Sequence, residues 1–92
     1  VRERRVIHNR IVAALEDLNE ERYREAEEHL FKALDLVPRG HEVVKKFLLY
    51  AVGTARMLQH HLELSCDALS LALAVDEDFF PALFLRCRVL RK

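Results

Sequence analysis

The sequence predicts an all-α chain of about five helices, folded as antiparallel helical hairpins, and three observations carry that expectation. Apolar residues recur at three- and four-residue steps in successive stretches, the spacing of a helical face rather than of a strand. Short polar or Pro/Gly-containing breaks separate the stretches. The second half of the chain also repeats the first at a fixed distance.

Ninety-two residues make one small domain, residues 1–92, with no room for a separate cofactor domain. Two Gly, two Pro and 51% hydrophobic residues point to an ordered core. Fifteen Lys and Arg balance fifteen Asp and Glu, so no global field draws the chain to nucleic acid or to an anionic membrane.

Val6, Ile7, Ile11, Ala14, Leu15 and Leu18 share one face of a first helix. Asn19 either ends it or caps the second helix, whose first turn is expected to be acidic at Glu20 and Glu21, as the helix dipole favours. Tyr23, Ala26, Leu30, Ala33, Leu34 and Val37 keep helical spacing until Pro38-Arg39-Gly40 stops it. A third helix, from about Glu42 to Gln59, is apolar nearly all round between Phe47 and Val52. His60-His61 marks the turn into a fourth, Leu62 to Ala74. Asp78 is placed to cap a fifth, with Pro81 tolerated in its first turn.

Residues 1–46 carry twenty charges and residues 47–92 only ten, so the later helices must be buried on more than one side or meet something outside the chain. The longest weakly charged stretch, 62–75, contains Glu63 and Asp67 and runs into Asp76-Glu77-Asp78, too short and too polar to span a bilayer. The chain opens at Val1 without an initiator Met and with no charged-then-apolar signal segment, so it reads as an excised or processed piece of a longer protein, and its unpaired cysteines fit a cytoplasmic location. Cys66 and Cys87 belong to no C-x-x-C pair or zinc spacing and are expected to be two buried, reduced thiols.

At an offset of 39, Ala26 meets Ser65, Leu30 meets Leu69, Ala33 meets Ala72 and Leu34 meets Leu73, so the second and fourth helices are copies. At an offset of 34, Leu49 meets Leu83 and Gly53 meets Cys87, aligning the third helix with the fifth. A longer loop around His41 to Lys45 is expected to absorb the five-residue difference.

A period of 34, with small residues at Ala14, Gly53 and Cys87 in the first helices and at Ala26, Ala33, Ser65 and Ala72 in the second, resembles the tetratricopeptide (TPR) family. The resemblance covers most of the chain: repeat one 7–40, repeat two 46–79, and a terminal helix 80–92. The chain departs from the family pattern at Arg10, where a bulky apolar residue is usual, at Asp17 and Arg56, where an aromatic is usual, and at Glu77, where Pro ends a repeat. Leu36-Val37-Pro38-Arg39-Gly40 followed by Tyr50-Ala51-Val52-Gly53 and Arg56 is also similar to the second hairpin of TPR-like mitochondrial fission adaptors, although the spacing differs by a couple of residues.

The resemblance implies that the hairpins stack as a short right-handed solenoid, with a concave groove lined by the first helices: Ile11, Leu15, Phe47, Tyr50, Ala51, Thr54, Pro81, Phe84, Leu85 and Arg88. Chaperone-associated members hold a partner's terminal carboxylate there with Lys, Asn and Arg. The clamp positions fall here on Ile11, Leu15, Ala51, Pro81 and Leu85, none of which can donate a side-chain hydrogen bond.

Catalysis finds few candidates. His8, His29, His41, His60 and His61 fall on different elements without metal-ligand spacing. There is no Gly-rich phosphate loop, and Thr54, Ser65 and Ser70 are the only hydroxyl nucleophiles of that kind. Glu20, Glu21, Glu25, Glu27 and Glu28 interleave with Arg22 and Arg24 as a solvated face. The basic ends, Arg2, Arg4 and Arg5 and then Arg86, Arg88, Arg91 and Lys92, lack stacking aromatics. The expectation is a non-enzymatic protein-interaction module, an adaptor or scaffold, without cofactor or metal, that takes a partner helix or extended peptide in an apolar groove. The alternative is a structural segment that self-associates through Phe79, Phe80, Leu83, Val89 and Leu90 as a homodimer or is covered by a following helix.

Overall fold

The computed structural model describes residues 2–37 and 40–90. Val1, Pro38-Arg39, Arg91 and Lys92 lie outside the described residues, as do the side chains of Arg2, Glu3, Arg4 and Leu90. The chain is all-α: α1 (Arg2–Asn19), α2 (Tyr23–Leu36), α3 (Glu42–Leu58), α4 (Leu62–Val75) and α5 (Phe80–Leu90). Each helix packs against the next, and α3 also touches α5, in a slab of 42 × 30 × 16 Å. Among the described residues no helix is long and apolar enough to cross a membrane.

The repeat shows in burial as well as in sequence. Ala26, Leu30 and Ala33 of α2 are buried, and so are their counterparts Ser65, Leu69 and Ala72 of α4. Small residues at these places let helices approach until the larger neighbour fills the gap. Gly53 is the extreme case: a Cβ there would stand 2.8 Å from Cδ2 of the buried Leu69. Ser65 donates a 2.7 Å hydrogen bond to the Gly53 carbonyl across the same contact, so α3 and α4 are held at backbone distance by a polar bond inside an apolar seam.

One core joins Ile7 and Ala14 of α1 to Ala26, Leu30 and Ala33 of α2 and to Leu48 and Val52 of α3. A second joins Leu49 of α3 to Leu69 and Ala72 of α4, Phe79, and Ala82 and Leu85 of α5. Contributing to both, α3 needs apolar residues nearly all round. On α5 a stripe of Ala82, Leu85 and Val89, with Phe79 just before it, is buried. Its apolar residues are therefore sorted by face more sharply than the sequence alone suggests.

The two hairpin turns are also copies. Asn19 ends α1 rather than capping α2, whose preceding residue is Arg22 with no side-chain cap. Glu20 and Glu21 belong to the turn, and Glu25 is the acidic residue of the first turn of α2. Glu21 adopts φ 64°, the Arg22 N–H reaches the Asp17 carbonyl and the Glu21 N–H reaches that of Leu18. Thirty-nine residues on, His60 adopts φ 64°, and His61 and His60 donate to the Arg56 and Met57 carbonyls. Both ends are Schellman motifs with a non-glycine residue in the left-handed position.

Three local expectations are corrected. The stretch Glu42–Lys45 is not loop but the first turn of α3, so the longer spacing between hairpins is taken up mostly as an added helical turn. Asp78 does not cap α5: the Phe79 carbonyl accepts the Leu83 N–H, and the Asp78 N–H is held by Oδ1 of Asp76. The thiols are free but not buried, Cys66 being half-buried and Cys87 exposed.

Gly53→Leu should overpack the α3–α4 seam and lower stability by about 3 kcal/mol, because Leu69 has nowhere to move; urea melts check this. Glu21→Gly and His60→Gly should each raise stability, by up to about 1 kcal/mol, since relief of a left-handed side chain outweighs the added freedom of the unfolded chain.

Candidate functional site

Ile11, Leu15 and Leu18 follow one face of α1, and Val44, Phe47, Leu48 and Ala51 follow one face of α3. Where these faces meet they enclose a groove of about 350 Å³, floored by Ala14, Leu30 and Leu48. Every lining residue is aliphatic or aromatic. Leu15 is 57% exposed and Phe47 51% exposed, each far more than a core residue. Apolar side chains held on rigid helices beside a concave floor can exclude water from a partner's apolar face, but offer no group for general acid, base or nucleophilic chemistry.

Of the ten residues expected to line a groove, the structure brings Ile11, Leu15, Phe47 and Ala51 together around this cavity. Tyr50 is turned to the neighbouring core, its ring edge-on to Phe79 at 5.7 Å. Thr54 is engaged locally, its hydroxyl donating to the Tyr50 carbonyl at 3.0 Å. Leu85 is buried. Pro81, Phe84 and Arg88 are exposed on α5, outside the cavity lining. Among the residues expected to self-associate, Phe79 and Val89 are buried within the chain, whereas Phe80 is exposed and Leu83 half-buried. Leu18 and Val44 were not anticipated as lining. Leu18 continues the Ile11 and Leu15 face one step further, and Val44 lies in the first turn of α3, within the helix expected from about Glu42.

Polar contacts brace the helices beside the groove. Lys46 hydrogen-bonds Oδ2 of Asp76 at 2.6 Å, with its ammonium 5.1 Å from the Phe79 ring centre and 5.7 Å from that of Phe47. The Lys46 hydrogen bond first, and the Asp78 amide second, hold the Asp76 carboxyl below its ordinary range. This fixes α3 to the α4–α5 turn and leaves the Phe47 ring edge-on to Phe79 at 5.1 Å.

Asp17 and Arg56 lie 39 residues apart, at equivalent places in α1 and α3, and both anchor networks. Oδ1 of buried Asp17 accepts from Nε of Arg22 at 2.9 Å, while its Oδ2 lies 3.5 Å from Nε2 of His29. Arg22 also pairs with Glu20, and its hydrogen bond to the Asp17 carboxylate leads the causes that keep its guanidinium more firmly protonated than usual. Arg56 donates to Oε1 of Glu27 at 2.6 Å and to the Leu64 carbonyl at 3.0 Å, and stacks over Phe31 at 5.2 Å. Gln59 donates to the other Glu27 oxygen at 3.2 Å. Glu27 is thus not part of a solvated face but a half-buried acceptor that joins α2 to α3.

Among the described residues no three His, Cys, Asp or Glu side chains come together as a metal site. No family model, curated protein or solved structure matches this chain.

Because the folded Asp76 carboxyl titrates below its ordinary value of 3.8, the stability that Lys46 confers is complete above that value and is lost as pH falls through the lower, folded one. The stability gap between the natural chain and Lys46→Met should be constant from about pH 7 to about pH 5 and close in stronger acid. Urea melts across that range test it, and a gap that persists unchanged in acid overturns it.

Proposed function

We propose that this chain is a non-enzymatic protein-interaction module of the TPR type that buries the apolar face of a partner helix in the groove between α1 and α3. The observation that carries the reading is the wholly apolar lining with Leu15 and Phe47 raised at its rims. Fully burying a side chain of that size stabilises by roughly 1.5 to 3 kcal/mol, and a partner helix recovers about half of that at each of Leu15 and Phe47, which are 57% and 51% exposed. The groove offers Ile11, Leu15 and Ala51 where a carboxylate clamp would need donors, so the ligand is read by its apolar spacing at i, i+3, i+4 and i+7 rather than by its terminus. The repeat of burial and turn geometry at an offset of 39 supports reading the chain as a repeated helical hairpin.

Calorimetry with a designed amphipathic helical peptide tests this. Binding should show a negative heat-capacity change and be equal for the free-acid and amidated forms. Leu15→Glu should weaken it by about tenfold or more, because the new carboxylate is desolvated against the apolar partner. Binding indifferent to Leu15→Glu, or a strong preference for the free carboxylate, overturns the reading.

A further inference from the structure

Asp17 is the one charged residue buried among the described residues, 7% exposed near the end of α1. Arg22 serves its Oδ1. Its Oδ2 is shielded from solvent and accepts no hydrogen bond, and the group facing it is Nε2 of His29 on α2, 3.5 Å away. Nδ1 of the same ring is also shielded and unpartnered, although the His29 side chain as a whole is 29% exposed. The surrounding charges are either engaged or at least a turn away. Arg22 is committed to Oδ1 and to Glu20. Arg10 lies two turns before Asp17 on α1, and Glu25 and Lys32 lie one turn before and after His29 on α2. From α3, Arg56 is taken by Glu27.

A buried carboxylate oxygen left without a donor costs free energy, and His29 answers that cost differently in its two protonation states. The neutral ring can point Nε2–H at Oδ2, but 3.5 Å is too long for a good hydrogen bond. Once the ring takes a proton, the contact becomes imidazolium against carboxylate. That attraction needs no ideal geometry and is little screened at a shielded oxygen. The added Nδ1–H lacks an acceptor, a cost that a slight swing of the part-exposed ring toward water relieves. We propose that Asp17 and His29 form a proton-operated clasp across the α1–α2 hairpin, loose while the imidazole is neutral and drawn tight when it is charged. Histidine is the side chain whose charge ordinarily changes between about pH 5 and about pH 8, so the clasp works in that range. The clasp lies beside the α1–α3 groove, since Leu18 and Leu30 follow Asp17 and His29 in sequence and line it, but it does not depend on what the groove binds.

A double-mutant cycle with Asp17→Asn and His29→Gln, read by urea melts at about pH 8 and about pH 5.5, tests this. Glutamine keeps a donor and removes the charge. His8, His41, His60 and His61 are common to all four chains, so their own titration cancels. The Asp17–His29 coupling, expressed as a factor in the folding constant, should be about fivefold to tenfold larger at the lower pH. Should Asp17→Asn fail to fold, His29→Gln alone decides, because its shortfall against the natural chain should grow by a similar factor between the two pH values. His8→Gln, at an exposed position on α1, should show no such growth. A coupling equal at both pH values, or a His29→Gln shortfall that stays constant or shrinks in acid, overturns the proposal.

Discussion

The close approach of α3 to α4 at Gly53 sets the rest of the architecture. Leu69 lies against the glycine backbone and Ser65 donates to its carbonyl at 2.7 Å, so the two axes cannot separate without exposing a buried leucine and breaking a buried hydrogen bond. With that seam fixed, α3 has two remaining duties. It offers Leu48 and Val52 to the α1–α2 hairpin on one side and Leu49 to α5 on the other. The groove follows from the first of these, because seating Leu48 on the first core lifts Phe47 and Val44 beside α1.

Helix existence was legible because three- and four-residue apolar steps have no other reading over fourteen or more residues, as in α2 and α4. The equivalence of Ala33 with Ala72 was legible for a steric reason: only small residues allow that approach, so the repeat preserves them. Part of the groove was legible too, since Ile11, Leu15, Phe47 and Ala51 sit at helical spacing on faces that turn toward each other. Val44 falls inside the third helix expected from about Glu42, but nothing in its local spacing marks it as lining, because it lies a turn before the apolar run that begins at Phe47. The α5 part of the expected groove did not gather at the cavity. Leu85 went to the second core and Phe84 to the surface, a division decided by which neighbours exist rather than by residue type.

The turns show a different limit. A left-handed residue after a helix is usually glycine, so Glu21 and His60 carry no local signal of the motif they complete. Each is held there by two backbone hydrogen bonds reaching back into the preceding helix and by the packing of the hairpin on either side. The strain is tolerated because tertiary contacts over-determine the turn.

Repetition creates a hazard that the polar residues answer. Two helices with the same small–leucine–small stripe could in principle exchange seats, since apolar packing distinguishes them weakly. The side chains at one equivalent position differ in sign: Asp17 on α1, Arg56 on α3. Arg56 and Gln59 together occupy both oxygens of Glu27 on α2, and Arg56 also caps the Leu64 carbonyl of α4. The α4 residue equivalent to Glu27 is Cys66, which cannot replace a carboxylate. An α4 helix in the seat of α2 would therefore leave a half-buried guanidinium without its anion, and the α2 helix in the seat of α4 would bring a second carboxylate away from its cation. Removing one partner of a desolvated ion pair costs far more than the pair contributes when intact. The Arg56–Glu27–Gln59 network thus disfavours the wrong order of the hairpins, because either exchange separates a part-buried cation from its carboxylate.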